Sequence, residues 1–300
     1  YSESLKLATR STLLWAGATT AIYGTKRALE QVGQAVIAVD AKMVDLKKVM
    51  PSGTGFGLMQ SEASELAKEY ATSMEDVIGQ MFEWGKQGKE QAEVIQLVET
   101  SLVASNATNL EAGEAVSYIV SAMSQFNITA EDSLSIVDKY NETANNFANT
   151  TARDLAESVK EAGKAADGLG ISLDQLIGMT TAVGEATAKS GNRVGRSLRT
   201  IFANMSETTG SLEEYINGFE EWIATAENVD GNELSIALRT SKGEYRDMFS
   251  VLEDLSKEWE NLSSVQQKQI AGLAGNKRRY SDFSALISNF GTAIDATSAS

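Results

Sequence analysis

Three hundred residues are enough for one large domain or two ordinary ones, and the net charge of −15 argues against a general nucleic-acid binder, which needs clustered Lys and Arg. The absence of cysteine and histidine excludes disulfides, Cys/His zinc sites, thiol nucleophiles and imidazole catalysis, a Ser-His-Asp triad included. A single proline, Pro51, where a chain of this length averages about fifteen, predicts an all-α fold.

The first fifty residues carry a regular apolar stripe. Trp15, Ala18, Ile22, Thr25, Leu29, Val32, Val36, Val39, Met43, Leu46 and Met50 are spaced 3, 4, 3, 4 throughout. That is the register of a helix packing along a left-handed seam. The flanks are small and uncharged (Ala21, Ala28, Gly33, Ala35), which suits three or more strands, a homotrimer first. The alternative is one long amphipathic helix lying on its own domain. Within this region the most apolar window, Leu13 to Tyr23, is about half the length of a membrane span and lacks the pattern of a signal peptide. The chain opens at Tyr1 and not Met, as expected of a fragment or a processed product.

Pro51 must end this helix, so residues 1–50 read as a long helix and candidate coiled coil, and 51–57 (PSGTGFG) as a linker. From 58 to 226 the chain reads as a run of short helices. Thr72-x-x-Glu75, Thr108-x-x-Glu111, Ser172-x-x-Gln175, Ser211-x-x-Glu214 and, further on, Ser264-x-x-Gln267 have the form of capping boxes; Thr129-x-x-Asp132 and Thr151-x-x-Asp154 are weaker versions. Residues 227–245 lose helical period and read as an irregular excursion, and 246–300 as C-terminal helices. No unit of 20–50 residues repeats.

The stretch GEATAKSGNRVGRSLRTIF, Gly184 to Phe202, superficially resembles a phosphate loop. A Walker A loop needs glycines where this chain has Ala188 and Val183, and a strand where it has a helical pattern. Its glycines have other uses: Gly191 as a left-handed cap, and Gly191 with Gly195 as a GxxxG pair for close helix packing. Arg193, Arg196 and Arg199 share a helix face and should pair with a neighbouring helix's carboxylates. The pairs Glu213/Glu214 and Glu220/Glu221 read as solvated face and not as a glycosidase dyad. NKRRY (Asn276 to Tyr280) reads as basic surface, and the Asn127 and Asn149 sequons carry no weight without a secretory signal. No catalytic residue, metal or cofactor is expected.

The order of motifs adds a resemblance. ATNLEAGEAVSYIVSAMSQFNI, followed by TARDLAESVKEAGKAADGLGISLDQLIGMTTAVGEATAKSGNRVGRSLRTIFANM, resembles the core of phage tail tape-measure proteins. That family reads A-x-x-L-G-[IV]-S, a helix with a small-residue patch, then G-x-x-x-G-x-x-L-R; Leu169, Gly170, Ile171, Ser172, Gly191, Gly195, Leu198 and Arg199 match. Val194-Gly195-Arg196 departs slightly, since the family usually has Ala-Gly there. Downstream, Trp259, Leu262, Ser263, Ile270, Ala271, Gly275, Arg279 and Phe283 fit a second pattern, so the likeness spans roughly residues 40 to 290. The resemblance implies a ruler that fills the tail-tube lumen, sets tail length and leaves with the DNA, with tail-tube and tail-tip proteins as partners. It also implies that the chain belongs to a longer protein, assembled in the host cytoplasm. The competing readings are an unrelated helical scaffold or export substrate, and a peptidoglycan-cleaving tail enzyme.

Overall fold

The computed structural model describes residues 33–108, 110–206 and 246–300, and every regular element among them is a helix. The expectations for Trp15 to Val32, for Ser211, for the carboxylate pairs at 213–221 and for the irregular excursion at 227–245 lie outside the described residues. The chain divides into two units, one ending at Val98 and the other beginning at Glu99.

In the first unit a helix over 33–49 (α1) stops ahead of Pro51, and a turn follows in which Gly53 takes φ 100°. α2 (Phe56–Glu69), α3 (Met74–Lys86) and the start of α4 (Gln91–Thr108) complete it. Met43 and Leu46 of α1 and Met50 just after it are buried, as are Met59, Leu66, Ile78, Met81 and Trp84. Gly85 is the contact point: a Cβ there would lie 2.8 Å from Val49 Cγ2 and 3.0 Å from Met50 Sδ.

The second unit holds α5 (Ala112–Phe126), α6 (Ser133–Asn146), α7 (Ala152–Asp167), α8 (Leu173–Thr187) and α9 (Gly191–Ser206). It then holds α10 (Met248–Glu258), a 3₁₀ turn (Trp259–Asn261), α11 (Ser264–Ser288) and α12 (Phe290–Ala299). α8 is the axis, buried at every residue from Leu176 to Gly184, because its sequence is apolar or small all round. α7, α9, α11 and α12 pack on it. Small residues set the spacing: the backbone of α12 at Ala293 and the side chain of Thr297 occupy the place a side chain at Gly178 would need. Aromatic contacts tie the end of the chain together, with Phe249 and Phe290 ring centroids 4.9 Å apart and Trp259 edge-on to Phe283 at 6.2 Å.

The helix starts correct several sequence expectations. Ser172 with Gln175 forms a full capping box, and so does Thr151 with Asp154, the pair read as weak. The other boxes shift: Ser73 caps α3 in place of Thr72, and Ser263 caps α11 in place of Ser264, each with the extended backbone a cap requires. α4 runs to Thr108, and α5 starts after Glu111 without a side-chain cap; Thr129 bonds Asp132, but α6 starts only at Ser133. The linker is also shorter than 51–57, with α2 beginning at Phe56.

Candidate functional site

Gly191 is not a left-handed cap. Ala188 takes that role, with φ 50° and its N–H donating to Gly184 O at 2.8 Å, and Gly191 opens α9. Its missing side chain serves approach, for a Cβ at Gly191 would collide with the Asp154 backbone. One turn on, a Cβ at Gly195 would sit 2.7 Å from Ser158 Cα and 2.9 Å from Glu161 Cβ. α7 and α9 therefore meet almost backbone to backbone.

The charges follow from that contact. The unpaired amides opening α9 point at the acidic face of α7: Gly191 N–H donates to Asp154 Oδ1 at 2.7 Å and Asn192 N–H to Glu157 Oε2 at 3.0 Å. Where a nucleotide phosphate would sit, the protein's own carboxylates already do. Arg199 Nη1 lies 2.8 Å and Arg196 Nε 3.7 Å from Glu161 Oε2, whereas Arg193 is exposed. Lys189 of the AKS triplet forms an ion pair with Asp282, which is 1% exposed and also accepts from Ser197 Oγ at 2.6 Å. Sequence reading missed Asp282; a lone aspartate between Ser281 and Phe283 gives no periodic sign of burial.

The tape-measure-like motifs acquire physical roles here. In Ala166 to Ser172, Gly170 takes φ 73°, Ile171 is buried and its N–H donates to Ala166 O at 3.0 Å, and Ser172 caps α8. The segment is a tight turn between α7 and α8. Leu198, Trp259, Leu262, Ile270, Ala271 and Phe283 are all core residues. In α11 the NKRRY segment contains a break at Asn276 (φ 49°, ψ −175°), with Arg278 and Tyr280 exposed.

The seam divides within α1. Met43, Leu46 and Met50 are buried inside the first unit, whereas Val36 is 63% exposed and Val39 half-buried. Val36, Ile37, Val39, Met43, Phe56 and Met74 line an open groove of about 840 Å³. In the second unit a polar cleft of about 660 Å³ lies between α6 and α7, lined by Asn141, Asn145, Asn146, Phe147, Thr150 and Arg153. Among the described residues no acidic cluster is placed to hold a metal, and no helix is long and apolar enough to cross a membrane.

No solved structure matches the chain. The family model described as phage-related minor tail protein matches residues 60–275, well over half of the sequence. With a helical body in which the matched segment provides most of the core, the chain belongs to the phage-related minor tail protein family.

Proposed function

We propose that this member of the tail family is the length ruler of a long-tailed phage. It occupies the tail-tube lumen during assembly and leaves with the DNA at ejection. The observation that carries this reading is the order of the tape-measure-like motifs, from Leu169 to Gly275 inside a segment matched to a tail family and on to Phe283 just beyond it. Physics supports it: a helix has a nearly fixed rise per residue, so chain length converts to distance. The part assigned to measuring is the segment that carries the 3-4 apolar stripe, residues 15–50; α7 to α12 fold back on themselves and suit a fixed end. Copies associate through the seam, a trimer first, and tail-tube and tail-tip proteins surround them. The protein carries no enzymatic activity on this account.

The test is a phage lacking the gene. Complemented particles should contain the protein, lose it when DNA is ejected, and have tails of one length; unchanged tail length without the protein would refute the ruler. A zymogram on host cell wall separates this from a peptidoglycan-cleaving role, since a cleared band at the chain's mass would establish an enzyme.

A further inference from the structure

The end of α6 and the start of α7 read NETANNFANTTAR, Asn141 to Arg153, with four asparagines. Two of them serve the fold. Asn146 Nδ2 donates to Glu142 O at 2.9 Å, and Asn149 Nδ2 to Glu185 Oε2 at 3.3 Å. The other two, Asn141 and Asn145, lie one turn apart on α6 and line the polar cleft between α6 and α7. Asn141 is half-buried and Asn145 exposed, and neither carboxamide is bonded to another group among the described residues. The half-buried ring of Phe147, with Ala148 and Ala152, gives the same cleft an apolar wall. Among the described residues that line it there is no carboxylate, and its cation, Arg153, lies 3.2 Å from Glu114 Oε2. The cleft therefore offers hydrogen bonds and a flat apolar surface, but no countercharge for an ionic ligand.

We propose that this cleft is a binding site for a neutral oligosaccharide. A carboxamide carries two donors and an acceptor, so each of Asn141 and Asn145 can bond two neighbouring hydroxyls. A pyranose presents a hydroxyl edge and an apolar C–H face; the asparagines take the edge, and Phe147 with the alanines takes the face. The volume, about 660 Å³, falls within the roughly 300–1,000 Å³ of ordinary small-molecule sites. A peptide is the poorer occupant. Extended peptides that bond through their backbone add to a sheet edge, and no described residue forms a strand. The site stands or falls separately from the ruler reading.

Nuclear magnetic resonance on the full chain labelled with nitrogen-15 tests it, with maltotriose, triacetylchitotriose and trialanine titrated separately. The side-chain amide signals of Asn141 and Asn145 are identified by their loss in Asn141→Ala and Asn145→Ala. The expected result is a saturable shift of both signals with at least one of the two sugars, at a dissociation constant on the order of 1 mM. The sugar that binds shows whether plain hydroxyls suffice or acetamido groups are needed. The double variant should weaken binding about tenfold or more, whereas Asn261→Ala, at an exposed carboxamide elsewhere, should bind as the parent does. Matching circular dichroism melts show that the variants are folded, as expected for side chains that bond nothing within the fold. No shift of either signal with either sugar, sugar binding that the double variant retains, or shifts with trialanine alone would each overturn the proposal.

Discussion

Gly195 and Ala188 sit in the same short stretch and show opposite uses of a missing side chain. A side chain at Gly195 would meet backbone at 2.7 Å, which cannot give way as a flexible side chain would. Gly195→Leu should destabilise the chain by about 1–3 kcal/mol through overpacking, read as a lower urea midpoint, with nucleotide altering the melt of neither form. Ala188 instead holds a left-handed backbone with a Cβ present. Ala188→Gly should stabilise by about 0.5–1 kcal/mol; a lower melting temperature would mean the position is not left-handed. At Asp282 the argument concerns charge. Truncating Lys189 to Met leaves a buried carboxylate with only the more distant Arg279 at 3.9 Å, a loss of roughly 3–5 kcal/mol for a buried pair, at the low end because Lys189 keeps a third of its side chain in solvent. The double variant Lys189→Met/Asp282→Leu should recover much of that loss, and if it does not, the pair acts through packing and not charge.

Among the helices, what was legible in the sequence and what was not separates by the range of the interaction. The all-α fold, the stop before Pro51 and the Ser172 box follow from local backbone rules. The exact cap among neighbouring hydroxyls does not, since Ser73 and Ser263 cap where Thr72 and Ser264 fit the same motif. Nor could sequence give the second use of the 3-4 spacing. Met43, Leu46 and Met50 satisfy a heptad, yet they are buried in the chain's own first unit. Burial within one chain and burial between chains leave the same periodicity. The exposed Val36 makes the seam testable without disturbing the fold, because Asp there costs the single chain no buried contact. Val36→Asp should leave the melt nearly unchanged and lower the sedimentation mass toward one chain. Equal masses for both proteins would show that the seam does not associate. At the chain's end, burial raises the Asp254 carboxyl, but hydrogen bonds from Arg246 and Lys257 outweigh it and hold the group below its usual range. Its stabilising effect is therefore complete above the ordinary aspartate value and is lost as pH falls through the lowered one. Asp254→Asn should flatten the acid limb of the stability curve below about pH 4.

For the whole molecule, the proposed ruler role assigns measuring to the 3-4 apolar stripe of residues 15–50 and anchoring to the folded body. The family match covers the body and not the seam, beginning at residue 60. If the ruler proposal holds, the two parts respond differently to added length. Inserting eight heptads, 56 residues, upstream of Val32 in the intact gene preserves the apolar register and should lengthen the helix by about 84 Å. The same number of residues placed in the turn at Gly168–Gly170, between α7 and α8, adds a loop and no axial distance. Tail length measured by electron microscopy on both phages is the most direct test. The ruler account predicts tails longer by about 84 Å for the heptad insertion and unchanged tails for the turn insertion. Tails of parental length in the first phage, from virions shown to contain the longer protein, would contradict it.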